Sequence, residues 1–415
     1  MIDGIKEKGM IIAPFLILMF TFFIPISSSV KSVMGVACLI AIVLTPQYRK
    51  LSVSNFTSFW GCAILVFFAY VVLASFWADS PFAYRISVID KYAKILYLPL
   101  LATVFINPTT RRWTFNLFIA AMLLTCLLSF IKHYNLILLN NMEDSGEVFH
   151  NHIATGYMVA LATYFAGILF LTANTTQVER IYYGLMIVVG SYQIFFLNTG
   201  RTGYVIYLVL MCFLLIQKLP LKRAFIGCSL LFATVGIVYV ASPLMQVRTA
   251  ALISDIKFLQ QHEENTSLGF RVQFHDYARS LFEKNPLFGL GTGTFKYHFG
   301  LDQPVPAWDR KLNDPHSQYW LTLVELGVVG MGLFLFFIFS LFVTALKLEE
   351  NKPVVLGILL AFILGCFTDS ILCYSTAGML MIVFTALGFG ELIEKRHSLR
   401  EKEKMLVNPE VSMAI

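Results

Sequence analysis

Charge is what this sequence has least of. Asp, Glu, Lys and Arg make up 13% of its 415 residues and hydrophobic residues 57%, where a soluble domain carries roughly a quarter charged residues. The length alone would allow two or three soluble domains, but no polar block is long enough to form one outside a membrane. Cysteine pairs are missing too. Cys38, Cys62, Cys126, Cys212, Cys228, Cys366 and Cys373 fall in or at the end of apolar stretches. They read as small core residues, not as a disulfide framework or a metal site. His133, His150, His152, His275, His298 and His316 show neither an HExxH pattern nor pairing with cysteine, so metal ligation has no support and no cofactor is expected. His150-Asn151-His152 is the nearest thing to a ligand pair, and reads better as lining a mouth. The run Gly289-Leu290-Gly291-Thr292-Gly293 lacks the Lys-Ser/Thr of a phosphate-binding P-loop and no strand precedes it, so it is a turn.

What the chain does have is apolar runs long enough to cross a bilayer of about 30 Å. They lie near 10–27, 30–46, 58–76, 89–106, 114–131, 152–172, 181–197, 203–217, 223–241, 317–346, 353–373 and 375–393. The first is about a full span and others follow closely, so a cleavable signal peptide is not expected. An even number of spans puts both termini on one side. On this map seventeen basic residues fall on the terminus side, among them Arg49, Lys50, Arg111, Arg112, Lys222, Arg223, Lys395 and Arg396. The opposite short loops and helix mouths, leaving aside the long loop 242–316, hold only six: Lys31, Arg85, Lys91, Lys94, Lys132 and Arg201. The positive-inside bias therefore predicts cytoplasmic termini. The net charge of +6 follows from this asymmetry, so it does not indicate a nucleic-acid partner.

The expected fold is an all-α polytopic membrane protein of about twelve transmembrane helices, one integral domain overall. Helices 1–9 occupy 1–241, a long external loop 242–316, helices 10–12 occupy 317–393, and a cytoplasmic tail 394–415. In the loop, Phe270, Phe274, Tyr277 and Leu281 recur at helical spacing, with Arg271, His275 and Arg279 on a neighbouring face and Pro286 ending the helix. Such an amphipathic helix either lies at the membrane surface or forms a cationic lid over a site.

Several ionisable groups on the external side could carry chemistry. Arg201 sits in Asn198-Thr199-Gly200-Arg201-Thr202-Gly203, a tight connection between apolar helices. A charge at membrane depth costs on the order of 3 kcal/mol unless paired or wetted, which suggests an anionic partner; a snorkelling interfacial Arg is the plainer alternative. His316 stands where the tenth span begins. A helix N-terminus suits phosphate, and a histidine can exchange a proton near neutral pH. Glu325 and Asp369 are intramembrane carboxylates, functional or else paired with Lys91, Lys94 or Arg201.

Taken in order, these motifs resemble the O-antigen ligase and polymerase superfamily, and within it the WaaL-type O-antigen ligases. The resemblance spans nearly the whole chain: short-looped spans, then one long loop before the last three. It is carried by Thr199-Gly200-Arg201-Thr202-Gly203, by Gly269-Phe270-Arg271 followed by Asn285-Pro286-Leu287-Phe288-Gly289, and by His316-Ser317-Gln318-Tyr319-Trp320 with Glu325-Leu326-Gly327 downstream. Lys94 and Asp369 are weaker matches, and Ser317 stands where the family often has Asn.

The resemblance implies a metal-independent, inverting glycan transfer at the periplasmic face of a bacterial inner membrane. The donor would be an O-polysaccharide on undecaprenyl diphosphate, the acceptor lipid A–core oligosaccharide, in contact with membrane lipids. Arg201 and Arg271 would clamp the diphosphate, and His316 would act as general base or bind the diphosphate. Lys94, Arg279, Glu325 and Asp369 would join Arg201 and Arg271 in binding substrate. An O-antigen polymerase of the same superfamily is the nearest rival. A protein-glycosylating relative would usually carry extra sequence after the last spans. A transporter or flippase would show inverted repeats with broken helices, and no clear repeat is present.

Overall fold

The computed structural model describes residues 2–136, 144–173, 175–308 and 312–407, the side chains of 2–8 and 400–407 excepted. Lys6, Lys8, Arg400, Lys402 and Lys404 of the basic tally therefore lie outside the described side chains. Residues 309–311 of the expected loop and 408–415 of the expected tail lie outside the described residues altogether. Among the described residues the structure is helical throughout, with no strand.

Among the described residues, seven helices are long and apolar enough to cross a membrane: Pro108–His133, His152–Phe170, Gln177–Leu197, Arg201–Lys218, Leu221–Ala241, Gln318–Ala345 and Ala377–Leu399. An eighth crossing is possible if Ser28–Leu44 and Pro46–Phe56, bent by 97° to one another, count as one span. Gly9–Phe23, Phe59–Ala74 and Lys352–Thr368 are shorter apolar helices. The bend has a local cause: Thr45, held extended at φ −89° and ψ 112°, precedes Pro46 at the first turn of the next helix, as the crowding of a proline ring against its predecessor requires.

The run expected to span 89–106 is not one helix. It divides into Phe82–Ala93, a 3-10 turn Lys94–Leu96, the short helix Tyr97–Leu101 and a second 3-10 turn Val104–Ile106. Pro99 supplies no N–H to a helical ladder there, and its carbonyl accepts instead from the buried Asn55 side chain at 2.9 Å. Irregular backbone is tolerated in an apolar bundle where protein, not lipid, surrounds it. Cysteine burial is likewise mixed: Cys38, Cys126, Cys366 and Cys373 are buried, Cys212 and Cys228 intermediate, and Cys62 exposed.

The core is built around His152–Phe170, in which every residue from Ala154 to Ile168 is buried. Leu221–Ala241 is as apolar, yet only Ala224 along it is buried. A helix that is hydrophobic all round and uncovered by protein belongs against lipid.

Segment 242–316 carries three helices, Pro243–Gln260, Ser267–Phe282 and Thr294–Asp302. Its anchor is the glycine-rich turn. Gln318–Ala345 breaks at Gly327, whose φ of 66° and ψ of −167° only glycine adopts readily. The turn docks into that break: Leu290 N–H donates to Val324 O, Gly291 N–H to Glu325 O, and Val328 N–H to Pro286 O, each at 2.9 Å. A Cβ on Gly327 would lie 2.4 Å from Leu287 O, so a side chain would separate the two backbones.

Candidate functional site

The bundle end that carries segment 242–316 also gathers most of the ionisable groups singled out in the sequence. Arg201 arrives there by a tight turn. Gln177–Tyr192 passes into a single π-turn, Gln193–Leu197, and the Asn198 side chain then accepts from Gly200 N–H at 2.8 Å. Arg201 is thus the first residue of Arg201–Lys218. Both its terminal nitrogens lie 3.3 Å from one oxygen of Asp255, and Nη2 also lies 3.2 Å from Ser267 Oγ. Two long bonds to one oxygen are not the parallel fork that saturates a guanidinium, so donor capacity remains.

Arg271 sits on Ser267–Phe282. Thr266 caps this helix, its Oγ1 accepting from Gly269 N–H at 3.1 Å. A Cβ on Gly269 would fall 2.3 Å from Glu264 O, which explains the glycine two places before the arginine. Among the described residues the Arg271 side chain has no hydrogen-bond partner. Burial lowers its pKa, with the Asp369 charge pulling the other way, and the group stays a cation at any physiological pH.

His316 holds a left-handed backbone conformation, φ +51°. Asp314 Oδ1 accepts from its N–H at 3.1 Å, the local side-chain bond by which aspartate stabilises such turns. Its ring Nδ1 lies 3.3 Å from Oδ1 of the fully buried Asp369, and Phe274 packs on the ring at 5.8 Å between centroids. His275 faces the backbone at Pro315 and His316. Burial alone would lower the His316 pKa, but the hydrogen bond and charge of Asp369, joined by Asp314, outweigh it and raise the pKa above its ordinary value. Burial, reinforced by Asp369, raises that of Asp314.

Arg271 and His316 share a cavity of about 450 Å³ whose wall also includes His152, Phe270, Phe274 and Trp308. Arg201 reaches its rim through Ser267, and its charge is felt at Arg271. Three of the expected groups, Arg201, Arg271 and His316, therefore meet, with Asp369 behind the third. The others do not. Lys94 donates to Tyr374 O at 2.9 Å while Lys31 donates to Ser375 O at 2.8 Å, so the two lysines pin the stretch that follows Asp369. Glu325, buried beside the helix break, carries the backbone carbonyl that accepts from Gly291 N–H, and its side chain lies near the N–H groups of Gly293 and Phe295 with Oε2 unpartnered among the described residues. Arg279 is exposed and pairs with Glu283 at 3.0 Å.

The second histidine on the cavity wall was visible in the sequence only as part of a possible mouth lining. His152 Nδ1 lies 2.8 Å from Glu147 Oε1, which also accepts from the His152 N–H at 3.2 Å. Asp144 accepts from Thr199 Oγ1 and from Gly146 N–H, and Lys132 binds the carbonyls of Asp144 and Glu147. This stitches residues 144–152 to the Arg201 turn. Glu147 and Asp144 went unnoticed because they lie in a loop with no periodicity to mark them. The donor atoms within Asp144/Glu147/His152 and within Asp314/His316/Asp369 all lie within 4.8 Å of one another, close enough to surround a cation. Spacing along the sequence reveals neither group.

No curated protein matches the chain. A family model described as O-antigen ligase matches residues 184–335. That stretch begins before the Arg201 turn, takes in Arg271 and His316, and ends beyond the break at Gly327. Over that stretch, a little more than a third of its length, the chain is similar to the O-antigen ligase family.

Proposed function

We propose that the chain is an O-antigen ligase. In this reading it moves an O-polysaccharide from undecaprenyl diphosphate to lipid A–core oligosaccharide at the periplasmic face of a bacterial inner membrane. The observation that carries the reading is the convergence of Arg201, Arg271 and His316 on one polar cavity at the end of an apolar bundle. A glycosyl diphosphate gains negative charge on its leaving oxygen as the C–O bond breaks. Guanidinium groups with unused donors stabilise that charge where it develops. Asp369 and Asp314 beside His316 favour the charged form of its ring, which suits a donor to the diphosphate and favours the diphosphate-binding role over the base role. The family match supports the superfamily and the class of lipid-linked chemistry; donor, acceptor and membrane side belong to this proposal.

A lipopolysaccharide gel from a strain lacking the chain, with lipid-linked glycan assayed in parallel, tests it. The expected result is loss of O-antigen ladders from lipid A–core, with long polymer accumulating on undecaprenyl diphosphate. Lipid A–core still capped by a single repeat would instead mean that ligation survives and the chain is the polymerase.

A further inference from the structure

We infer that His152, oriented by Glu147, is the general base that takes the proton from the acceptor hydroxyl, a role separate from the diphosphate contacts of Arg201, Arg271 and His316. The inference rests on the transfer reading above and assigns a residue that reading leaves unused.

The geometry of His152 is that of an oriented base. With Nδ1–H donated to Glu147 at 2.8 Å, the ring's other nitrogen, Nε2, carries the lone pair. Among the described residues no hydrogen bond reaches Nε2. Glu147 also takes the His152 backbone N–H, which fixes the ring to its own loop. The ring lies beside the diphosphate groups: it is on the wall shared by Arg271 and His316, and a Cβ on Gly200, next to Arg201, would fall 3.2 Å from ring Cδ2. The side chain is 37% exposed, so an incoming sugar can reach it.

The two histidines differ in a way that separates their tasks. His316 is packed against Phe274 and backed by the fully buried Asp369, with its side chain 25% exposed, while His152 has Glu147 and Asp144 beside Nδ1 but an open Nε2. His152 is more open, 37% exposed, and stands against the Arg201 turn at Gly200. In the transfer, the acceptor oxygen forms a bond to the anomeric carbon, and the bond from that carbon to the diphosphate oxygen breaks. The bonding pair leaves on the diphosphate, held by the arginines and His316. The hydroxyl proton moves to His152 Nε2 and is later released to water. Charge and atoms balance without a metal or a further reactant.

The test uses purified full-length protein in lipid with polyprenyl-diphosphate-linked glycan and lipid A–core, comparing wild type with His152→Ala and His152→Gln. Glutamine keeps a polar donor near Glu147 and guards against loss through misfolding. Binding of undecaprenyl diphosphate is measured alongside. The expected result is a fall in kcat of about 100-fold, the usual scale for losing a positioned base, with diphosphate affinity unchanged in both variants. A merely structural His152 would disturb the Arg201 turn and weaken diphosphate binding instead, so a loss of transfer explained by lost binding overturns the assignment. So does either variant keeping kcat within about threefold of wild type. Wild-type activity lost on chelation and restored by one divalent ion would make Asp144, Glu147 and His152 a ligand set, again overturning it. Wild type that transfers nothing sinks the ligase reading itself, and this inference with it.

Discussion

Arg111 and Arg271 are guanidinium groups at opposite ends of the same bundle, and the chain uses them differently. Arg111 lies in the first turn of Pro108–His133 and meets the last helix, Ala377–Val407, at Glu394. Its Nη1 donates to Phe105 O at 2.8 Å and Ile106 O at 3.2 Å, its Nη2 to Glu394 at 2.6 Å, and its side chain is 5% exposed. Nearby Glu391 is equally occupied, accepting from the N–H groups of Glu349 and Asn351. At the other end, beyond the start of that helix, Arg271 has no hydrogen-bond partner among the described residues, and Arg201 meets only one Asp255 oxygen at 3.3 Å and Ser267 Oγ at 3.2 Å among them. Where the protein fills a guanidinium's donors itself, the group holds structure. Where it leaves them open on a polar cavity, the group awaits an anion.

The contrast breaks most visibly if the two classes of arginine respond alike. Arg271→Lys and Arg201→Lys keep a charge but lose the planar fork. Each is expected to cut transfer about 100-fold, near 3 kcal/mol of transition-state stabilisation, with unfolding temperature unchanged. Arg111→Ala should do the reverse. It strands two backbone carbonyls and Glu394, which is 34% exposed. We expect a loss of about 2 kcal/mol, below the full cost of breaking a buried pair, seen as a lower unfolding temperature in detergent, with transfer per folded molecule intact.

A smaller effect sharpens the comparison by pH. Because Asp369 and Asp314 hold the His316 pKa above its ordinary 6.5, the imidazolium persists below that raised value and is lost as pH rises through it. Undecaprenyl diphosphate affinity should therefore be full at mildly acidic pH and decline severalfold in the alkaline direction. His316→Gln, which cannot titrate, should bind more weakly at low pH and without that decline, as titration at several pH values would record. The smallest effect belongs to Arg279. Its only pairing partner described is Glu283 one turn away, with the side chains 67% and 60% exposed. Arg279→Ala should leave transfer within about twofold in the same assay, because such exposed pairs contribute little.

These residues also mark how far the sequence could be read. Arg201, Arg271 and His316 were legible because each sits in a short motif forced by backbone geometry: a tight turn, a glycine approaching Glu264 O, an aspartate supporting a left-handed residue. Most apolar runs were legible by length. The interruption at 94–106 was not, since a run holding Pro99 reads equally as a span until Asn55 is seen to take the Pro99 carbonyl. Lys94 is singled out by the resemblance, and Glu325 because an intramembrane carboxylate points to a partner. Lys94 Nζ donates to the Tyr374 carbonyl, 280 positions away, and the Glu325 side chain lies beside a turn docked into a helix break. Neither relation leaves a local trace. The His152–Glu147 pair stayed hidden for the opposite reason: four residues of loop separate the two, and no period announces that they face each other.

The most direct test of the central claim is a binding titration of purified protein in lipid with undecaprenyl diphosphate, comparing wild type with the double variant Arg201→Lys/Arg271→Lys. The account predicts saturable binding by wild type and at least a 100-fold weaker association in the folded double variant. Equal binding by the two proteins would show that the open guanidinium groups do not hold the diphosphate and would contradict the assignment of this cavity.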